Sequence, residues 1–132
     1  MEPVFHLSIS VSDLERTRRF YEDAFGATVG RQTDAWIDIW LFGAQLTAYQ
    51  RPGAVTPSPF REALHFGATV AWDTWASVVE KASACAGGYA AEPVQTDTHA
   101  KAMVADPDGY LIELKAYADI TSLERPADGD SR

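Results

Sequence analysis

The sequence predicts an α+β fold made of two βαβββ modules, each with a mixed sheet curled around a cavity. Three observations carry this. Runs with apolar/polar alternation of period two mark strands, and two amphipathic stretches mark helices. The order strand, helix, three strands then occurs twice, in halves of about sixty residues. Finally, the first strand of each half is apolar on one face and small or polar on the other. That suits a sheet covered by helices on one side only.

The first module covers about residues 4–50. "VFHLSISV" (4–11) alternates as a strand. "SDLERTRRFYEDAFG" follows as a helix, with Ser12 as N-cap and Glu15 completing a capping box. Leu14, Phe20, Tyr21, Ala24 and Phe25 form its apolar face, and Gly26 stops it. A short strand at 27–31, a strong one at 34–42, a Gly43-Ala44 turn and the strand "QLTAYQ" complete the module. Residues 51–62, with three prolines and a glycine, form a loop. The second module covers about 63–117. "ALHFGATVAW" (63–72) reads as a strand. The next helix has Asp73 as cap, Trp75, Val78, Val79 and Ala82 on one face, and Gly87-Gly88 as stop. A short strand at 89–92, the strand "AKAMVAD", the turn Asp106-Pro107-Asp108-Gly109 and the strand "YLIELKAY" follow. Residues 1–124 make one domain, and 125–132 are expected to be a disordered tail.

Bulk properties narrow the partners. A chain of 132 residues buries enough surface to fold without disulfides, and with a single cysteine it forms none internally. Cys85, in a helical pattern, is expected to be buried. The net charge of −8 argues against nucleic acid and anionic membrane surfaces as partners. The N-terminus lacks the pattern of a signal peptide, and no apolar run approaches a membrane span, so a cytoplasmic location is expected.

Overlaying the halves picks out the candidate site. The first strands place His6 on His65. Aligning Gly43 with Gly109 places Thr47 on Glu113, each four residues after its glycine. Taken singly, a strand histidine is a satisfied or exposed side chain, and Glu113 is a solvated carboxylate. Taken together, two imidazoles and one carboxylate suit a facial triad that holds a divalent metal and leaves coordination positions open.

The stretches "FHLSISVSDLERTRRFYEDAFGA", "LHFGATV" and "DPDGYLIELKAY" resemble the vicinal oxygen chelate superfamily. That superfamily includes glyoxalase I, fosfomycin- and bleomycin-resistance proteins and type I extradiol dioxygenases. "WIDIWLFGAQLT" is similar to short bacterial proteins described as extradiol-dioxygenase-like. The resemblance implies that His6, His65 and Glu113 bind the metal, with Fe2+ or Mn2+ favoured over Ni2+ or Zn2+. It also implies a small-molecule substrate and a homodimer in which His6 of one subunit meets His65 and Glu113 of the other. Where glyoxalase I has a fourth ligand this chain has Thr47, with Gln45 nearby on the same face. Fosfomycin enzymes carry basic and hydroxyl residues near the third ligand. "QTDTHAKAMVAD" offers only Lys101 and His99 in a different pattern.

Further pocket candidates are Gln45, Thr47 and Tyr49 on the fourth strand and Trp36, Asp38 and Trp40 on the third. The plain reading of both tryptophans is core packing. Asp38 either accepts from a metal-bound histidine or faces water. His99 in a polar loop is a candidate acid or base, and Tyr49 a second candidate catalytic group. Lys101 is a candidate anchor for an anionic substrate, and Tyr110 and Tyr117 are expected to pack. Three functions follow: an extradiol-type dioxygenase acting on a vicinal diol, a glyoxalase-type lyase or isomerase, and a small-molecule binding or resistance protein without turnover.

Overall fold

The structure, a computed structural model, describes residues 1–57 and 63–123. The first module consists of β1 (His6–Val11), α1 (Leu14–Phe25), β2 (Thr28–Gln32), β3 (Trp36–Leu41) and β4 (Ala44–Gln50). The second consists of β5 (Phe66–Thr69), α2 (Trp75–Ala86), β6 (Ala91–Gln95), β7 (His99–Ala105) and β8 (Leu111–Tyr117). Each module has its own sheet, ordered β1-β4-β3-β2 and β5-β8-β7-β6. In both sheets the first strand pairs parallel to the last, and the remaining pairs are antiparallel. The repeat extends to irregularities: β2 shifts register between Val29 and Gln32, and β6 between Ala91 and Val94. Pro93 sits in that second shift, on an edge strand, where its missing N–H breaks no inner ladder. The tail at 125–132 lies outside the described residues.

Alternation divides each sheet into two faces. Ile37, Ile39, Leu46, Ala48 and Val11 are buried on the side of α1. Ala100, Ala102, Val104, Ile112, Leu114 and Ala116 are buried on the side of α2. The two helices pack against each other, so these faces merge into one core. Trp75 anchors α2 by donating its indole N–H to the carbonyl of Leu114 at 3.0 Å.

Several local expectations are corrected. Asp13, one residue after Ser12, caps α1: its Oδ1 accepts from the Arg16 N–H at 2.8 Å. Ser12 instead donates its N–H to Asp108, and Glu15 lies near Arg18 and Arg19, so no capping box forms. Thr74 rather than Asp73 precedes α2, without a side-chain cap. Cys85 is exposed, because it lies off the Trp75–Val79–Ala82 stripe. The β3–β4 hairpin turns on Phe42 and Gly43, both at positive φ (53° and 73°). This is the two-residue loop whose twist matches that of the strands. The Phe42 ring meets Phe25 edge-on at 5.2 Å, a contact that offsets the strain of a left-handed phenylalanine. β5 is shorter than expected, so His65 stands just before it rather than within it.

Candidate functional site

The face that α2 leaves uncovered carries two of the three expected ligands. Glu113 lies opposite Gly67 across the β5–β8 ladder and opposite Met103 across β7–β8. Continuing the β5 alternation by one residue puts His65 on the same face. His65, Gly67, Thr69, Glu113 and Lys115 line one cavity of about 290 Å³. Gly67 is required there, because a Cβ at that position would overlap the backbone carbonyl of Glu113. The strands therefore meet at close range beside the carboxylate.

The turn before β8 fixes where Glu113 points. Asp106 Oδ1 accepts from the N–H groups of Asp108 and Tyr110, each at 2.9 Å, and Oδ2 accepts from the Tyr21 hydroxyl at 2.9 Å. Gly109 turns the chain at φ 90° and donates its N–H to the Asp106 carbonyl. Burial pushes the Asp106 carboxyl up from 3.8 to about 6, against the pull of those three donors. Burial first, and then Asp106, hold the Tyr21 phenol well above its ordinary value. Tyr110 is buried and ties the modules together: its hydroxyl donates to the Ser10 carbonyl at 2.6 Å and accepts from the Thr56 N–H at 3.1 Å.

His6 is exposed and belongs to the other sheet, on the face away from α1. It pairs with Gln45, and Gln45 with Trp40. In the next row, Ser8 pairs with Thr47 and Thr47 with Asp38. The ladders thus bear out the overlay: His6, Ser8 and Thr47 occupy the positions that His65, Gly67 and Glu113 occupy in the second sheet. Within one chain, however, no group of three His, Cys, Asp or Glu side chains among the described residues is placed to hold a metal. His6 is not brought to His65 and Glu113.

Thr47 offers no ligand. Its hydroxyl donates to Asp38 Oδ1 at 2.8 Å, and Arg31 Nε donates to Oδ2 at 2.9 Å. Asp38 is buried and both its oxygens are used, so it neither faces water nor orients a histidine. Arg31, which the sequence reading passed over, lies over the Trp36 ring at 5.3 Å. Its signal was there: a buried mid-strand aspartate needs a cation. Trp40 is 44% exposed, against the core-packing expectation, because it stands on the uncovered face of its sheet. Tyr49 shares that face, with the Arg51 guanidinium 4.7 Å over its ring. His99 opens β7 rather than lying in a loop, with Nδ1 near the Thr96 and Thr98 hydroxyls at 3.1 and 3.3 Å. Lys101, two residues on, shares its face with Glu113. Tyr117 is half-buried opposite His99.

Known proteins share this fold. Residues 4–114 match the profile of the Glyoxalase/Bleomycin resistance protein/Dioxygenase superfamily. No curated protein sequence matches the chain. Among solved structures, the fold is similar to the fosfomycin resistance protein FosX from Mesorhizobium loti. That pair has a TM-score of 0.73 and 18% identity, over 95% of this chain and 99% of that one. It is also similar to a glyoxalase/bleomycin resistance protein/dioxygenase from Alicyclobacillus acidocaldarius, with a TM-score of 0.70 and 24% identity over 89% and 93% of the chains. The oxidase ChaP-H2 matches with a TM-score of 0.69 and 22% identity over 98% of both chains. Among the described residues, no helix is long and apolar enough to cross a membrane.

Proposed function

The chain belongs to the Glyoxalase/Bleomycin resistance protein/Dioxygenase superfamily, and on that footing we propose that it is a metal-dependent enzyme, a dioxygenase of extradiol type acting on a small vicinal diol. The observation that carries this is the asymmetry of the two equivalent positions. Glu113 faces a cavity together with His65, whereas the hydroxyl of its counterpart Thr47 is spent on Asp38. One carboxylate and two imidazoles hold Fe2+ or Mn2+ through three donors and leave positions open.

The donor set fits such an ion in chemistry, with His6 supplied by a second copy of the chain. Phe5 and Leu64, the neighbours of the two histidines, are 70% and 65% exposed in the single chain. Exposed apolar residues beside both half-sites favour a homodimer that covers them. Bound by His65, Glu113 and a second copy's His6, Fe2+ or Mn2+ would supply the Lewis-acid and redox chemistry that a diol and dioxygen need. The chain's own residues do the rest. Gly67 lets β5 approach β8, the Asp106–Tyr21 contact holds the turn that aims Glu113, and His99 and Tyr49 are the candidate proton-handling groups.

The test is metal analysis of the purified protein, then anaerobic Fe2+ reconstitution and oxygen uptake on a catechol panel. Metal binding with oxygen uptake is expected. No uptake on any catechol counts against dioxygenase chemistry, and turnover of a hemithioacetal would turn the assignment to a lyase or isomerase. A protein that refuses every divalent metal would remain a binding or resistance protein.

A further inference from the structure

We propose that Lys101 and Lys115 together bind a compact anionic group of the substrate, a carboxylate or phosphate, beside Glu113. The β7–β8 register places the two lysines directly opposite each other. They stand one row from the Met103–Glu113 pair, on the same face, about 7 Å along the strand from Glu113. Lys115 also pairs with Thr69 across β5–β8 and lines the cavity that holds His65 and Glu113. One end of this row is therefore already part of the candidate site.

Two like charges opposite each other in an antiparallel ladder repel and destabilise the sheet. The composition does not force the arrangement, since the chain has 11 Lys and Arg against 19 Asp and Glu. The equivalent positions in the first sheet carry Trp36 and Tyr49, also directly paired, where no such repulsion arises. Among the described residues, neither lysine has a carboxylate within ion-pair distance. On β7 and β8 the titratable groups of the neighbouring rows are Glu113 on one side and His99 and Tyr117 on the other, and Glu92 lies in the register shift of β6, the strand beside β7. Within the β7–β8 ladder, Glu113 is thus the one carboxylate beside the two ammonium groups, and no carboxylate of β6 reaches ion-pair distance of either. The inference rests here on the metal assignment: once Glu113 serves a metal, neither lysine keeps a carboxylate neighbour within the β7–β8 ladder. An anion supplied by the substrate removes the repulsion, and the Thr69 hydroxyl offers it a further donor. Lysines are compact point charges on flexible stems, which suits a small anion rather than a bidentate planar fork.

The test uses full-length protein loaded with Mn2+ under argon, after its metal content is measured. By calorimetry, 3,4-dihydroxybenzoate should bind about tenfold more tightly than 3,4-dihydroxybenzamide, which keeps the diol and loses the charge. In Lys101→Gln/Lys115→Gln that preference should vanish while metal content stays the same. Each single variant should melt at an equal or higher temperature than wild type at low salt, because repulsion is removed. Equal affinity for the two ligands in wild type, or a preference that survives the double substitution, overturns the proposal. If the protein takes up no metal, the metal assignment fails and the anion site is tested alone. Inorganic phosphate should then shift the Met103 methyl signal in wild type and not in the double variant. Absence of that difference overturns the proposal.

Discussion

The Tyr21 hydroxyl donates to Asp106 Oδ2 at 2.9 Å, across 85 residues of sequence. This contact joins the first module's helix to the turn that aims Glu113. It is buried, so its loss leaves a carboxylate short of a donor away from water. Tyr21→Phe is expected to cost about 2 kcal/mol in denaturant unfolding, with little change in the slope. A cost near zero would mean that the turn holds Asp106 without the helix.

Asp106 also sets a pH dependence. Its folded-state value of about 6 lies above its ordinary 3.8. In that window the native state therefore binds the proton more tightly than the unfolded chain. The contribution is fully present below about pH 4 and is lost as pH rises through about 6, a change on the order of 3 kcal/mol. Stability of wild type measured against Asp106→Asn should fall with rising pH over this range and level off above it. A difference that rises instead would place the folded-state value below 3.8.

Gly67→Ala should damage the site more than a surface change of one methyl would. The new Cβ meets the Glu113 backbone, so β5 must move away from β8. The expected result is a loss of about 2 kcal/mol of stability, together with weaker metal retention by mass spectrometry. Unchanged metal content in a stably folded variant would separate Gly67 from the placement of Glu113.

Thr47→Val removes one of two donors to a buried carboxylate. A stability loss of about 1–2 kcal/mol is expected, with metal content unchanged, because the hydroxyl serves Asp38. Loss of metal on this substitution would make Thr47 a ligand after all.

Complementation tests the shared site. In a heterodimer of His6→Ala with Glu113→Gln, a site divided between subunits leaves one intact set of ligands and one doubly damaged set. Metal should therefore return to the isolated heterodimer, although each homodimer lacks it. A site built within one chain would give no recovery.

Much of this was legible in the chain because it depends on local periods. Alternation set which face His6, Ser8, Thr47 and Glu113 take, and the turn glycines Gly43 and Gly109 set the equivalence of the last strands. Small offsets escaped, as with Asp13 for Ser12 at the start of α1, since neighbouring polar residues compete for the same cap. The partner of Asp38 also escaped, because Arg31 reaches it from the strand where the register shifts.

By itself, then, the sequence determined the repeated order of elements, the apolar faces and the equivalent positions of the candidate ligands. These follow from side-chain alternation and turn chemistry within a few residues. Only the tertiary structure decided that Tyr21 grips Asp106, that Lys101 faces Lys115 and that His6 lies on a different sheet from His65 and Glu113. Those are matters of strand register and module packing. They are settled by burial over the whole core, which no short stretch of sequence carries.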